Sequence, residues 1–177
     1  MKHTLVARVQ DQPGVLNRVA SLFRRRAFNI ESLTVGGSET PDFSRMTIVV
    51  DTAKAPAHLV AHNLRKLVPV VDVTDVTHVP TVERDMALIR VKCLPAERAE
   101  LASLVDIFRG KIVDVAADSA IVEATGDVQK VDGLVDLLRP RGILEMVRTG
   151  KVALVRGNAA ATNGSNAENA EIAEKAS

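Results

Sequence analysis

Residues 2–157 carry one pattern twice: strand, helix, strand, strand, helix, strand. That repetition constrains the fold more than any single motif. In the first copy HTLVARVQ alternates, with Leu5, Ala7 and Val9 on one face. A helix is expected over about residues 13–26, where Val15, Leu16, Val19, Leu22 and Phe23 recur on one helical face. Asp11 is the expected N-cap, Pro13 suits the first turn, and Arg24, Arg25 and Arg26 complement the dipole at the end. FNIESLTV and SRMTIVVD are rich in β-branched residues. The turn formers GGSETPDF between them predict a hairpin, with Gly36–Gly37 in its turn. Ala57, Val60, Leu64 and Leu67 mark a second helix that Pro69 stops, and VVDVTDVTH closes the copy as a strand.

The second copy opens near Glu83. Ala87, Ile89, Val91 and Cys93 alternate as a half-buried strand. Leu101, Leu104, Val105 and Phe108 share a helix face, and KIVDVAADSAIVEAT reads as two strands around an AADS turn. Val128, Val131, Val135 and Leu138 mark the last helix, and the final strand is interrupted at Gly150. Right-handed crossovers turn each βαββαβ copy into an antiparallel four-stranded sheet with both helices on one face. The expected fold class is therefore α+β, two ferredoxin-like units. They are expected at 2–78 and 84–157, with a linker at 79–83 and a disordered tail at 158–177, where Ala, Asn, Ser and Glu dominate.

In this topology the second and fourth strands of each sheet lie at its edges. FNIESLTV carries neither Pro nor Lys to blunt such an edge, so side-by-side dimerisation through it is expected.

Composition removes several functions. Lys and Arg number 23 against 22 Asp and Glu, too even for a duplex binder working by charge. Tyr and Trp are absent, which disfavours single-strand binding by base stacking. No nucleic-acid partner is expected. No apolar run approaches a membrane span and the N-terminus lacks a signal-like apolar region, so a cytoplasmic protein without membrane contact is expected. The single cysteine, Cys93, sits on an apolar strand face and reads as a core residue.

Catalytic signals are weak. His58 and His62 have zinc-compatible spacing but no third ligand, so no metal is expected. Ser21, Ser32 and Ser103 lack a nucleophile context, and Glu31 and Asp51 read as surface residues. Phosphate-binding glycine motifs are missing. The arginines at 24–26 read as a solvated helix end or as a grip for an anion.

DQPGVL is different. Gly14 lacks a Cβ, and the free amides of the first helical turn favour a carboxylate. Val15 and Leu16 would add apolar wall, while Asp11 and Asn29 could accept from an ammonium. Asn29 begins the edge strand expected to pair with a second copy, so such a site would lie between subunits. The other reading is a strand–helix turn in which Gly14 serves packing alone, and these residues favour neither.

DQPGVLNRVASLFRRRAFNIESLTVGGSETPDFSRMTIVVD resembles the ACT domain of acetolactate synthase (acetohydroxyacid synthase) small regulatory subunits. VERDMALIRVK and IFRGKIVDV extend the resemblance through both halves, to about residue 157. The resemblance implies a chain with no catalytic site and no cofactor of its own. Its partner would be a large catalytic subunit carrying thiamine diphosphate, Mg²⁺ and FAD. That enzyme condenses pyruvate with pyruvate or 2-ketobutyrate on the way to valine, leucine and isoleucine. The small subunit would raise its activity and confer feedback inhibition, most often by valine. The matching effector positions are Asp11, Pro13, Gly14, Val15 and Leu16 on one subunit, with Asn29 and Ile30 reaching in from the other. Many relatives carry Asn where this chain has Asp11, whose carboxylate repels that of the effector; this bears on the strength and choice of inhibition.

Three other readings compete. An enzyme would need a convergent set of His, Cys or carboxylates. An amino-acid-responsive transcription regulator would need a helix-turn-helix. A free-standing ACT-domain sensor acting on another metabolic enzyme would leave the second half's resemblance unexplained.

Overall fold

The computed structural model describes residues 1–51 and 56–157; the expected tail, 158–177, lies outside the described residues. The chain forms two compact units. Among the described residues, one comprises residues 1–82 together with 153–157, and the other residues 83–152.

The first unit runs β1 (Lys2–Gln10), α1 (Val15–Arg25), β2 (Asn29–Gly37), β3 (Phe43–Asp51), α2 (Ala57–Arg65) and β4 (Val70–Asp75). Its sheet has the order β2-β3-β1-β4, every pair antiparallel, so β2 and β4 are the edges. Alternation sets the two faces. Leu5, Ala7 and Val9 meet Met46, Ile48 and Val50, and both helices close over them with Val19, Leu22, Phe23, Val60 and Leu64. A bulge between Ile30 and Ser32 lets both Ile30 and Leu33 face this core. Gly36 and Gly37 are the last paired residues of β2, opposite Arg45 and Ser44, so the turn lies one step later than expected.

α1 starts at Val15 with Gly14 as N-cap, and no side chain caps it. Asp11 therefore does not fill the capping role, because three residues of turn separate it from the first helical residue. Leu16 also leaves the expected apolar face, being 48% exposed. His58 and His62 are exposed on α2.

β4 ends in a small polar knot. His3 Nδ1 lies 2.9 Å from Asp75 Oδ2, while the Thr77 amide (3.0 Å) and hydroxyl donate to Asp75 Oδ1. Burial alone would raise the Asp75 carboxyl, but the Thr77 and His3 hydrogen bonds outweigh it and hold the group below the usual carboxylate range. A carboxyl depressed by folding contributes stability above its unfolded pKa and loses it as pH falls through the folded one. Wild type should thus lose more stability than Asp75→Asn on going from neutral pH to about pH 3, a difference measured by urea midpoints at both pH values.

The second unit holds most of β5 (Thr81–Lys92), then α3 (Arg98–Ile107), β6 (Lys111–Val115), β7 (Ser119–Gly126), α4 (Val128–Leu138) and β8 (Ile143–Arg148). Strand order is β6-β7-β5-β8, again antiparallel. Ala87, Ile89, Val91, Val122 and Ala124 pack under Leu101, Val105, Val131, Leu134 and Leu138. Cys93 belongs to this core at 1% exposure. Asp127 caps α4, its Oδ1 accepting the Lys130 amide at 2.8 Å. Asp85, 3% exposed, is gripped by Arg148, whose Nε donates at 2.9 Å and whose Nη1 reaches Asp132 at 2.6 Å.

β5 begins at Thr81, inside the stretch read as a linker. After β8 the chain breaks at Gly150, where φ is +82°, and resumes as β9 (Val152–Val155). Although the sequence pattern assigns residues 153–157 to the second half, they pack with the first unit. Ala153 is buried with Val6 and Val76, and Val155 packs beside them. The Arg156 amide donates to Pro80 O at 2.8 Å, and Arg45 Nη2 donates to Ala153 O at 3.1 Å. Val6 points away from Leu5 and Ala7, so β9 covers part of the sheet face that carries no helix.

Candidate functional site

The β1–α1 turn is built on backbone hydrogen bonds. Gln10 N–H donates to Pro69 O at 2.8 Å and Asp11 N–H to Asp42 O at 2.8 Å. The second bond docks the β2–β3 loop against the turn and brings Asp42 to the site. Asp42 sits at φ +66°, and nothing in the local pattern announces its role. Gly14 has φ +86°, a left-handed conformation that costs residues with a Cβ about 1–2 kcal/mol. A Cβ built there would meet nothing within 4 Å. Conformation is therefore what calls for glycine here, while the space beside it is open.

Val15 N–H already reaches Gln12 O at 3.3 Å, and Arg18 N–H returns to Gly14 O at 3.0 Å. The Leu16 and Asn17 amides have no acceptor among the described residues, as the first turn of a helix dictates. They face outward with the positive end of the α1 dipole behind them. Asp11, Gln12 and Pro13 are exposed around them. Leu16 offers an apolar surface beside the amides. Val15 does not, since it is 6% exposed and belongs to the core.

Asn29 and Ile30 lie elsewhere in the protomer. Gly37 pairs with Ser44 and Ser44 with Val9, which places the β1–α1 turn at that end of the sheet. Asn29 pairs with Asp51, and Asp51 with Lys2, at the opposite end. From Ser44 to Asp51 along β3 the distance is about 24 Å. One protomer thus separates the two halves of the expected site. Asn29 is exposed, Ile30 half-buried, and neither Asp11 nor Asn29 has a side-chain partner among the described residues.

Two other polar candidates of the sequence are paired elsewhere. Glu31 pairs with Lys2, and Asp51 with the N-terminal ammonium at 3.6 Å. Among the described residues no group of His, Cys, Asp and Glu could hold a metal ion. No helix among them is long and apolar enough to cross a membrane.

Residues 5–72 match the model of the AHAS small subunit-like ACT domain, and residues 84–157 the model of the small subunit of acetolactate synthase. The chain is 53% identical to a probable acetolactate synthase small subunit of Archaeoglobus fulgidus, over 89% of this chain and 99% of that one. It is 44% identical to the acetolactate synthase small subunit of Mycobacterium leprae, over 88% and 92% respectively. A crystal structure of the small subunit from Thermotoga maritima superposes with a TM-score of 0.82 at 44% identity, covering 89% of this chain and 99% of that one.

Proposed function

The chain belongs to the acetolactate synthase small-subunit family, and on that footing we propose that it activates a large catalytic subunit and makes it sensitive to valine or another branched-chain amino acid. The chemistry, with thiamine diphosphate, Mg²⁺ and FAD, belongs to that partner. The small subunit supplies a receptor built across two copies of itself.

The separation of about 24 Å along β3 carries this reading. β2 is an edge strand whose only sheet neighbour among the described residues is β3. Antiparallel pairing of two β2 strands about their midpoints sets the Asn29 end of one beside the Gly37 end of the other. The first-turn amides of α1 then face Asn29 and Ile30 of the second copy. A bound amino acid directs its carboxylate to the Leu16 and Asn17 amides. Its ammonium goes to Asp11, the exposed Asp42 and Asn29 of the second copy, and its side chain to Leu16 and Ile30 of the second copy.

Burying a valine side chain contributes roughly 1.5–3 kcal/mol, and each charge-assisted hydrogen bond about as much. Subtracting the cost of lost freedom leaves a micromolar-to-millimolar affinity, suited to sensing a metabolite pool. Valine and isoleucine differ by one methylene, so discrimination between them is shallow. Inhibition follows if the ligand favours one geometry of the paired sheets over the one that activates the large subunit.

The test is co-purification with the large subunit followed by a valine titration of activity. Gly14→Asp, measured against Gly14→Ala, separates the pocket from the backbone, because both pay for the left-handed φ and only the carboxylate repels the ligand. The half-inhibitory valine concentration should rise about 100-fold in Gly14→Asp, the equivalent of losing ~3 kcal/mol, and far less in Gly14→Ala. Unchanged inhibition in Gly14→Asp would place the receptor elsewhere.

A further inference from the structure

We propose that the helix layer of the first unit is a docking face for an acidic protein surface. The functional reading above, on which this rests, places that surface on the large catalytic subunit.

From residue 12 to residue 30, and again from 52 to 71, the sequence has no Asp or Glu. These stretches hold α1 and α2, so neither helix of the first unit carries an acid. Arg18, Arg24, Arg25 and Arg26 are exposed along and at the end of α1, and Arg65 and Lys66 at the end of α2. None of them forms a salt bridge among the described residues. A cation in the last turn complements the α1 dipole, but the layer extends beyond that need, to Arg18 in the first half of α1 and to the second helix.

The second unit is built the other way. Its α3 carries Glu100 and Asp106, and its α4 Asp132 and Asp136. Arg141, Arg148 and Arg139 pair with Glu100, Asp132 and Asp136. Helices in water mix signs in this way because like charges one turn apart repel. A layer of one unrelieved sign contributes nothing to the fold and suits the steering and holding of an oppositely charged partner.

Apolar side chains stand among the charges: Leu16, Leu59 and Val68, the last 87% exposed. Charge mixed with exposed apolar surface is the make-up of a protein interface rather than of a polyanion groove. A second copy of the chain cannot cover the layer, since like charges would meet. Antiparallel pairing of two β2 strands has its two-fold axis normal to the sheet, so both copies turn their helices to one side and the dimer offers the layer twice. α1 holds the receptor amides in its first turn and arginines in its last, so receptor and docking face share one rigid element.

The test uses the full-length chain and the holoenzyme reconstituted with the large subunit. Arg24→Gln/Arg25→Gln/Arg26→Gln is compared with wild type and with a control that removes as many cations from the second unit, Arg90→Gln/Lys111→Gln/Arg139→Gln. The small-subunit concentration giving half-maximal activation should rise about 30-fold in the first variant and less than about threefold in the control. Raising the salt from about 50 to about 300 mM should weaken the wild-type association steeply and that of the variant little. Urea midpoint and calorimetric valine affinity of the variant should stay near those of wild type. Should it fold poorly, Arg25→Gln/Lys66→Gln takes one charge from each helix and should raise the half-maximal concentration about fivefold. An activation curve for these variants that superposes on wild type, or an equal loss in the control, would overturn the docking face. So would tighter binding of wild type to a duplex oligonucleotide or to phosphatidylserine vesicles than to the large subunit. If wild type neither binds nor activates the large subunit, the functional reading itself falls, and the docking face with it.

Discussion

Asp85→Ala lowers the stability of the second unit by about 3 kcal/mol, because it leaves the Arg148 guanidinium without its buried partner. Arg148 is 28% exposed and keeps Asp132, so the loss sits at the lower end of the range for a broken buried pair. Burial alone would lower the Arg148 pKa, but the carboxylates of Asp85 and Asp132 outweigh it and raise the group above its ordinary value. Urea titration should register the loss, and the melting temperature should fall by roughly 15 °C. The double variant Asp85→Leu/Arg148→Met should recover most of it, since an apolar pair of similar volume removes both charges together. A single variant within ~1 kcal/mol of wild type would mean that water reaches Arg148 freely.

Phe23→Ala should cost the first unit about 3–5 kcal/mol. Phe23 is 2% exposed and meets Phe28 edge to face, with ring centroids 5.8 Å apart. It anchors α1, whose first turn offers the amides of the proposed receptor, to the sheet core. Phe23→Leu, which fills more of the cavity, should cost less than half as much. Denaturant midpoints of the two variants check the order, and the reverse order would place Phe23 outside the tightly packed layer.

Local pattern is enough for most of the architecture. Alternation in HTLVARVQ and DMALIRVK, helix periodicity from Val15 to Phe23, and the break at Gly150 all correspond to the elements found. What local pattern misses is long-range. The Asp11–Asp42 bond spans a helix and a hairpin, and Arg45 meets Ala153 more than a hundred residues away along the chain. Leu16 fits the helical period as well as Val15 does, yet Val15 is buried in the core and Leu16 is left in solvent. Gly14 stands before α1 and Asn29 shortly after it, yet only strand register reveals that one protomer holds them at opposite ends of the sheet.

The return of residues 153–157 to the first unit has a practical consequence for dissecting this chain. A fragment ending at Val82 lacks part of its own cover and shows water the apolar patch around Val6 and Val76, so it should self-associate. Supplied in trans, a peptide of the missing carboxy-terminal stretch should restore solubility, much as a plug fits a socket. Expression boundaries drawn at the midpoint of the repeat would therefore divide one hydrophobic seam between two tubes.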